Sequence, residues 1–291
     1  MNTDPAAETT LVRTGSLRMG LIGRGIQLSR TPAMHEAEAA AQGLTCRYDL
    51  IDTDAGTTDE LSDILAWAED EDFAGLNVTY PYKQAVIPHL HHLSDAARRV
   101  GAVNTVVFRG GERFGHNTDF WGFGENLRTG LAGAPLDDVL LIGAGGAGGA
   151  LAHALNDMAV GRIRIADTRD GAAAALAHDV GPRAEPVGDL AGAAASATGI
   201  VNATPVGMAK LPGTPIDTGL LEPRHWVADI IYFPLETELL RCARALGCRT
   251  LDGEGMAVLQ AVRAFQLFTG RPAEQSRMRA TFRLLGEEAA P

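Results

Sequence analysis

Short apolar runs recur along this chain. Each breaks at glycine, proline or a polar pair, and an Ala-rich stretch with helical spacing follows most of them. Runs at 19–23, 73–79, 101–108, 138–142, 162–167 and 226–232 read as strands, and so does the start of 199–208. Residues 45–51 alternate apolar and polar and read as one more. Helical periodicity is clearest over 57–70, where Leu61, Ile64, Leu65 and Ala68 share one face. It recurs at 121–131, 150–158, 171–177, 191–197 and 236–246, and in a last helix to about residue 268. Strand-helix alternation of this kind predicts an α/β fold with a mostly parallel sheet throughout.

The run 138–142 enters Gly143-Ala144-Gly145-Gly146-Ala147-Gly148, just before the stretch from Ala150. Gly143, Gly145 and Gly148 have G-x-G-x-x-G spacing. The first glycine makes a tight strand-to-helix turn, the second admits a pyrophosphate to the backbone, and the third lets helix and strand pack closely. Backbone N–H groups at the helix start, at Gly146 and Ala147, then face an anion with the helix dipole behind them. A Gly/Ala-rich turn produces the same spacing without a ligand, so context has to decide. The run 162–167 ends in Asp167, about 20 residues past the glycines, where the ribose hydroxyls of NAD need an acceptor. A carboxylate there also repels the 2′-phosphate of NADP. Arg169 argues the other way, because a guanidinium pairs with phosphate. In a parallel sheet the turn Thr204-Pro205-Val206-Gly207-Met208 lies across from the glycines.

Length and charge bound the rest. The 291 residues suit about two domains. A net charge of -11 argues against nucleic acid or an anionic membrane face as partner. No apolar run reaches the ~20 residues that span a bilayer. Residues 1–16 are polar, lack a secretory signal and read as a disordered tail. Cys46, Cys242 and Cys248 are too few and too scattered for a disulfide framework or a zinc site, which suits a reducing cytoplasm.

Of 25 basic residues, two are lysines, Lys83 and Lys210. Arginine keeps its proton at working pH and lysine can release it. Lys210 sits in a loop and reads as chance. Lys83 falls in the first turn of a helix at the carboxyl end of a strand, where a cation is disfavoured. It reads as a lysine placed to titrate and reach a ligand, against the plainer reading of a surface lysine. Thr31 precedes Pro32 and fits a helix cap followed by proline at the first helical position. Ser29 has no such local duty, and the two hydroxyls flanking Arg30 can hold a carboxylate. Asp119, between a strand and a helix, fits an N-cap as well as chemistry. His35, His116 and the group His89, His91 and His92 read as packing or surface residues, so no metal is expected.

Seven segments in order resemble the shikimate dehydrogenase family, most closely its quinate/shikimate dehydrogenase branch, from about Met19 to Phe282. They are Ser29-Arg30-Thr31-Pro32-Ala33-Met34-His35, Asn77-Val78-Thr79-Tyr80-Pro81-Tyr82-Lys83, Gly101-Ala102-Val103-Asn104-Thr105, Gly115-His116-Asn117-Thr118-Asp119, the glycine cluster, Asn202 to Met208, and Asp252-Gly253-Glu254-Gly255-Met256 with Gln260. The resemblance implies a two-domain enzyme. An N-terminal α/β substrate domain over 17–119 is completed by helices in 253–291, and a Rossmann-type NAD domain occupies 120–252. It implies that Lys83 and Asp119 are the catalytic pair. Asn104 and Asp119 contact ring hydroxyls with Thr79 and Gln260 beside them, and Ser29, Thr31 and Tyr232 hold the carboxylate. Ile230 and Gly253 join the cofactor residues.

Two departures set the expected specificity. The biosynthetic enzymes commonly carry a second serine where this chain has Thr31. They also carry Asn-Arg-Thr where this chain has Asp167-Thr168-Arg169. Both favour an NAD-dependent enzyme that oxidises quinate or shikimate, with a catabolic bias; a cytoplasmic monomer or homodimer is expected separately. The competing readings are an NADP-dependent biosynthetic shikimate dehydrogenase, a paralogue acting on an amino-substituted ring, and a non-catalytic dinucleotide-binding regulator. The last has no use for a lysine-aspartate proton relay.

Overall fold

The computed structural model describes residues 15–55 and 60–288. The chain divides by compactness into two units. One takes the residues up to Thr118 together with those from Val258, and the other is Asp119–Ala257.

The first unit contains β1 (Ser16–Gly23), α1 (Thr31–Ala41), β2 (Thr45–Asp52), α2 (Leu61–Asp70), β3 (Phe73–Val78), α3 (Tyr82–Ala85), β4 (His92–Leu93), α4 (Asp95–Val100), β5 (Thr105–Arg109) and β6 (Glu112–His116). Its sheet runs β2-β1-β3-β5-β6-β4. Strands β2, β1 and β3 are parallel, but β5 runs antiparallel to both β3 and β6. The sheet of this half is mixed, with three parallel pairings and two antiparallel ones, the latter both made by β5. The reason is local. Gly110 and Gly111 both have positive φ, +60° and +76°, and such a pair closes a two-residue hairpin whose strands must be antiparallel. Ile22, Leu65, Phe73, Leu76 and Val106 are fully or almost fully buried in the core on this sheet.

The second unit begins at Asp119 in α5 (Thr118–Gly130). It continues through β7 (Asp138–Ile142), α6 (Gly146–Asp157), β8 (Arg162–Ala166), α7 (Ala172–Val180), β9 (Ala184–Pro186), α8 (Leu190–Ser196), β10 (Gly199–Asn202), β11 (Trp226–Asp229), α9 (Glu238–Ala245) and β12 (Arg249–Leu251). Its sheet is parallel throughout, in the order β12-β11-β10-β7-β8-β9. That is the doubly wound order of a Rossmann fold. Helix α10 (Glu254–Thr269) starts in this unit and ends in the first, where α11 (Gln275–Glu288) follows.

Other expectations need correction. Residues 1–14 of the expected tail lie outside the described residues, but Ser16 already belongs to β1 and the Gly15 carbonyl accepts from the Thr45 N–H at 3.3 Å. The helix expected from residue 57 starts at Leu61, and residues 57–59 lie outside the described residues. The strand expected from residue 101 starts at Thr105, because Gly101 at φ +64° ends α4. The polar pair therefore stands at the head of β5. The glycine cluster enters its helix at Gly146, four residues early. Helix α11 lies within the helices that the resemblance implies for 253–291, although the residue pattern alone ended the last helix near 268. It docks on α1 through Glu38, fully buried, which accepts from the Glu274 N–H at 3.0 Å and from Arg277 Nη1 at 2.7 Å.

Candidate functional site

In the second unit β7 lies between β8 and β10, so the strand order reverses at β7. Open parallel sheets bind ligands outside the carboxyl ends of the strands at such a point. Gly143 leaves β7 with φ +108°, and its N–H donates to the Ala166 carbonyl at 2.8 Å. A Cβ at Gly143 would stand 2.9 Å from the Ala203 backbone, and one at Gly148 would strike the Gly143 carbonyl. Side chains would thus fill the turn, and glycine keeps it closed around a bare backbone. Gly145 is the N-cap of α6, Gly146 is exposed and Ala147 half-buried. The first N–H groups of a helix have no intrahelical acceptor, so this end is a cradle for an anion such as a pyrophosphate. The residues present fit a dinucleotide.

Asp167 directly follows β8. Its Oδ2 accepts from the Ala144 N–H at 2.7 Å and its Oδ1 from the Arg169 N–H at 2.8 Å. Arg169 Nε and Nη2 add contacts at 3.1 and 3.2 Å. Burial pushes the Asp167 carboxyl up, but these donors outweigh it and hold the group down at about 2. It is a fixed carboxylate at neutral pH. Arg169 is folded back onto it. A concavity of about 400 Å³ opens beside the pair, lined also by Gly171, Pro186, Val187 and Gly188.

Asn202 and Asp229 close β10 and β11, both buried. Asn202 Oδ1 accepts from the Thr204 N–H at 2.9 Å and hydroxyl at 2.7 Å, and its Nδ2 donates to the Val206 carbonyl at 3.0 Å. The same Nδ2 donates to Asp229 Oδ1 at 3.1 Å. Asp229 also accepts from the Ile231 N–H at 3.0 Å and from the Thr237 hydroxyl at 2.8 Å. Burial raises the Asp229 carboxyl, and these three donors only partly counter it. One buried network therefore shapes the turn of Thr204, Pro205, Val206, Gly207 and Met208 as well as the loop of Ile230 and Tyr232. Gly253 donates to the Ile231 carbonyl at 3.2 Å, and Tyr232 is exposed.

In the first unit, the carboxyl end of β3 gathers several predicted residues. Thr79 N–H donates to the Ile22 carbonyl at 3.0 Å, and the Lys83 carbonyl accepts from the Val103 N–H at 2.8 Å. Val78 N–H donates to the Asn104 carbonyl at 2.8 Å. Lys83 is the second residue of α3, a single turn, and is half-buried. Asn104 Oδ1 accepts from the Thr118 N–H at 2.7 Å, and its Nδ2 donates to the Thr118 hydroxyl at 3.0 Å. Asp119 follows Thr118 directly. It is buried and is the second residue of α5, inside the helix and not at the cap position.

The hydroxyls at the start of α1 exchange roles. Thr31 is already helical and makes no cap, whereas Ser29 Oγ accepts from the Thr31 N–H at 3.3 Å. Pro32 is therefore the second helical residue, one place later than expected. Gln260 lies half-buried on α10. Ser29, Thr31, Thr79, Lys83, Asn104 and Gln260 thus belong to the first unit, and Asp119, Tyr232 and the cofactor residues to the second.

Two family models match the chain. The shikimate dehydrogenase substrate-binding domain matches residues 21–106, and the shikimate 5′-dehydrogenase C-terminal domain matches residues 253–281. A quinate/shikimate dehydrogenase (NAD(+)) of Corynebacterium efficiens is 50% identical over 277 residues, 92% of this chain and 98% of that protein. A shikimate dehydrogenase (NADP(+)) of Streptomyces avermitilis is also 50% identical, over 94% of this chain and 98% of its own. The solved quinate dehydrogenase of Corynebacterium glutamicum in complex with NAD superposes with a TM-score of 0.90 at 48% identity, covering 93% of this chain and 100% of that one. The chain belongs to the shikimate dehydrogenase family.

Within this family member, sequence reasoning missed Asp52, Thr118 and Asp229. Asp52 ends β2 and accepts from the Gly25 N–H at 2.9 Å, the Ile26 N–H at 3.1 Å and Gln27 Nε2 at 3.0 Å. It anchors the loop that leads to Ser29. Each of these residues terminates a strand or starts a helix, and that position was the available signal. Among the described residues no helix is long and apolar enough to cross a membrane.

Proposed function

We propose that this chain is an NAD-dependent quinate/shikimate dehydrogenase of the cytoplasm. It interconverts quinate with 3-dehydroquinate and shikimate with 3-dehydroshikimate. The observation that carries the cofactor choice is the Asp167 carboxylate, ionised and engaged with Arg169 at the end of β8. It offers acceptor oxygens to the ribose hydroxyls, and it occupies the arginine that a 2′-phosphate would need. The relative from Streptomyces named for NADP keeps the second reading in play, in which Arg169 leaves Asp167 for a phosphate.

When bound, the dinucleotide supplies a nicotinamide that accepts the hydride from the ring carbinol. Everything else falls to side chains of this chain. Gly145, Gly146 and Ala147 would hold the pyrophosphate on backbone N–H groups at the start of α6, and Gly143, its own N–H bonded to the Ala166 carbonyl, makes the turn that brings them there. Residues 204–208, with Ile230 and Gly253, place the nicotinamide end. Ser29, Thr31 and Tyr232 hold the substrate carboxylate, and Thr79, Asn104 and Gln260 fix the ring hydroxyls. Lys83 Nζ takes the proton of the reacting hydroxyl as its C–H bond gives up hydride, and Asp119 keeps lysine and hydroxyl in register. The alcohol becomes a ketone, and one proton leaves through Lys83. The test is product stoichiometry. Incubation with NAD and either acid should yield ring ketone and NADH one for one, and no ketone from either acid would overturn the reading.

A further inference from the structure

Arg30 lies between the two hydroxyls assigned to the substrate carboxylate, so its charge alone suggests a direct ion pair with that group. Its guanidinium instead lies on α11. Arg30 Cζ stands 4.5 Å from the centre of the Phe282 ring, and Nη1 donates to the Phe282 carbonyl at 3.2 Å. Gly286, one turn further on, leaves room for it, since a Cβ there would come 3.0 Å from Nη1 and 3.2 Å from Nη2. Helix α11 is in turn pinned to α1 by the buried Glu38, through Arg277 and the Glu274 N–H. On the other side of the loop the Ser29 N–H donates to the Ile26 carbonyl at 2.9 Å, and Ile26 is held by Asp52. The loop is fastened at both ends, and Arg30 is the fastening next to the hydroxyls.

We propose that Arg30 is a positioning residue, and that the slot formed by Phe282 and Gly286 on the C-terminal helix sets the placement of Ser29 and Thr31 and so the affinity for the substrate carboxylate. The proposal rests on those two hydroxyls holding that carboxylate. A cation stacked on a ring and bonded to a carbonyl fixes both the direction and the depth of its side chain. The residues on either side inherit that placement through the backbone. The C-terminal helix would thereby tune recognition of one end of the substrate without touching it.

The test compares Ser29→Ala, Arg30→Met and Gly286→Leu with the wild type. Gly286→Leu fills the slot with a good helix former and leaves Arg30 charged. KM and kcat are measured for quinate, for the neutral analogue with a hydroxymethyl group in place of the carboxylate, and for NAD. Arg30→Met and Gly286→Leu should each raise KM for quinate about fivefold, with kcat and the other two KM values changed by less than about twofold. A general loss of structure would move all of these together, and that pattern overturns the proposal. So does a rise in Arg30→Met without one in Gly286→Leu, which would assign the effect to charge alone. If Ser29→Ala raises KM for quinate and neither other variant does, positioning by α11 is wrong and the carboxylate reading stands. If Ser29→Ala leaves KM for quinate unchanged, the carboxylate reading falls and this proposal falls with it.

Discussion

The two sheets of this protein solve different problems. The second unit keeps six parallel strands, and the groups proposed to hold its cofactor stand at the carboxyl ends of β7, β8, β10 and β11. Most of those groups are backbone N–H and carbonyl groups in turns fixed by glycine. The first unit mixes parallel and antiparallel strands and delivers side chains. Thr79 and Lys83 come from the turn after β3 and Asn104 from the head of β5, tied together by backbone hydrogen bonds to Ile22, Val103 and Val78. A cofactor shared by many enzymes can be held by a contiguous backbone motif. A particular ring of hydroxyls needs several side chains placed independently, which takes long-range packing.

The sharpest way to break this comparison is Lys83→Ala. If the first unit supplies the proton chemistry, kcat falls by about 10²–10⁴, the usual worth of a general acid or base. Calorimetric titration of NAD should then give the wild-type Kd. Equal loss of NAD affinity would mean that the functions are not divided between the units.

Asp167→Ala is the counterpart in the second unit. It removes the ribose acceptor and releases Arg169. KM for NAD should rise about tenfold, the worth of one hydrogen bond to a charged group, while KM for NADP falls. Initial rates with each cofactor check this, and unchanged preference would count against the role of Asp167. Because the Asp167 carboxyl is held at about 2, affinity for NAD should not fall from this group between neutral pH and about pH 4. Titration across that range would detect any earlier loss.

His35 sharpens the contrast in stability. It is fully buried against Tyr48, Phe265 and Phe268, and burial drives its pKa down to about 3. The unfolded chain takes up a proton at this residue below its ordinary value of 6.5, and the folded chain does not until about 3. The unfolded state binds more protons in that window, so stability contributed by neutral His35 declines as pH falls through it. His35→Leu should flatten the fall of Tm with acid, and an unchanged slope would remove His35 from the account.

The smallest expected effect is at Thr31. Thr31→Ser removes one methyl at the carboxylate end and should shift the quinate-to-shikimate ratio of kcat/KM by roughly threefold. An unaltered ratio would place that preference elsewhere.

The same contrast explains what the sequence could reveal. The glycine cluster, Asp167 and the turn after Asn202 are contiguous, and each carries a local backbone reason for its composition. The α/β class, the Rossmann half and the family were legible from them. The exchange of roles between Ser29 and Thr31 was not, because it depends on whether the helix starts before or after one residue. Gly110-Gly111 was legible as a turn, but its positive φ values decide the strand direction that follows. Asp229 read as a polar residue inside a strand over 226–232, whereas the strand ends at it, and its hold on two loops arises only when β10 and β11 pair. Helix α11 is mostly polar and charged, and it is held by Glu38 from far away in the chain.

The most direct test of the account is an initial-rate comparison of the wild type with quinate or shikimate, each with NAD or NADP. NADH formation with both acids, and rates with NADP lower by about tenfold or more, is the predicted result. Turnover confined to shikimate with NADP would keep the fold and the Lys83 chemistry, and would contradict the reading of Asp167 and Thr31.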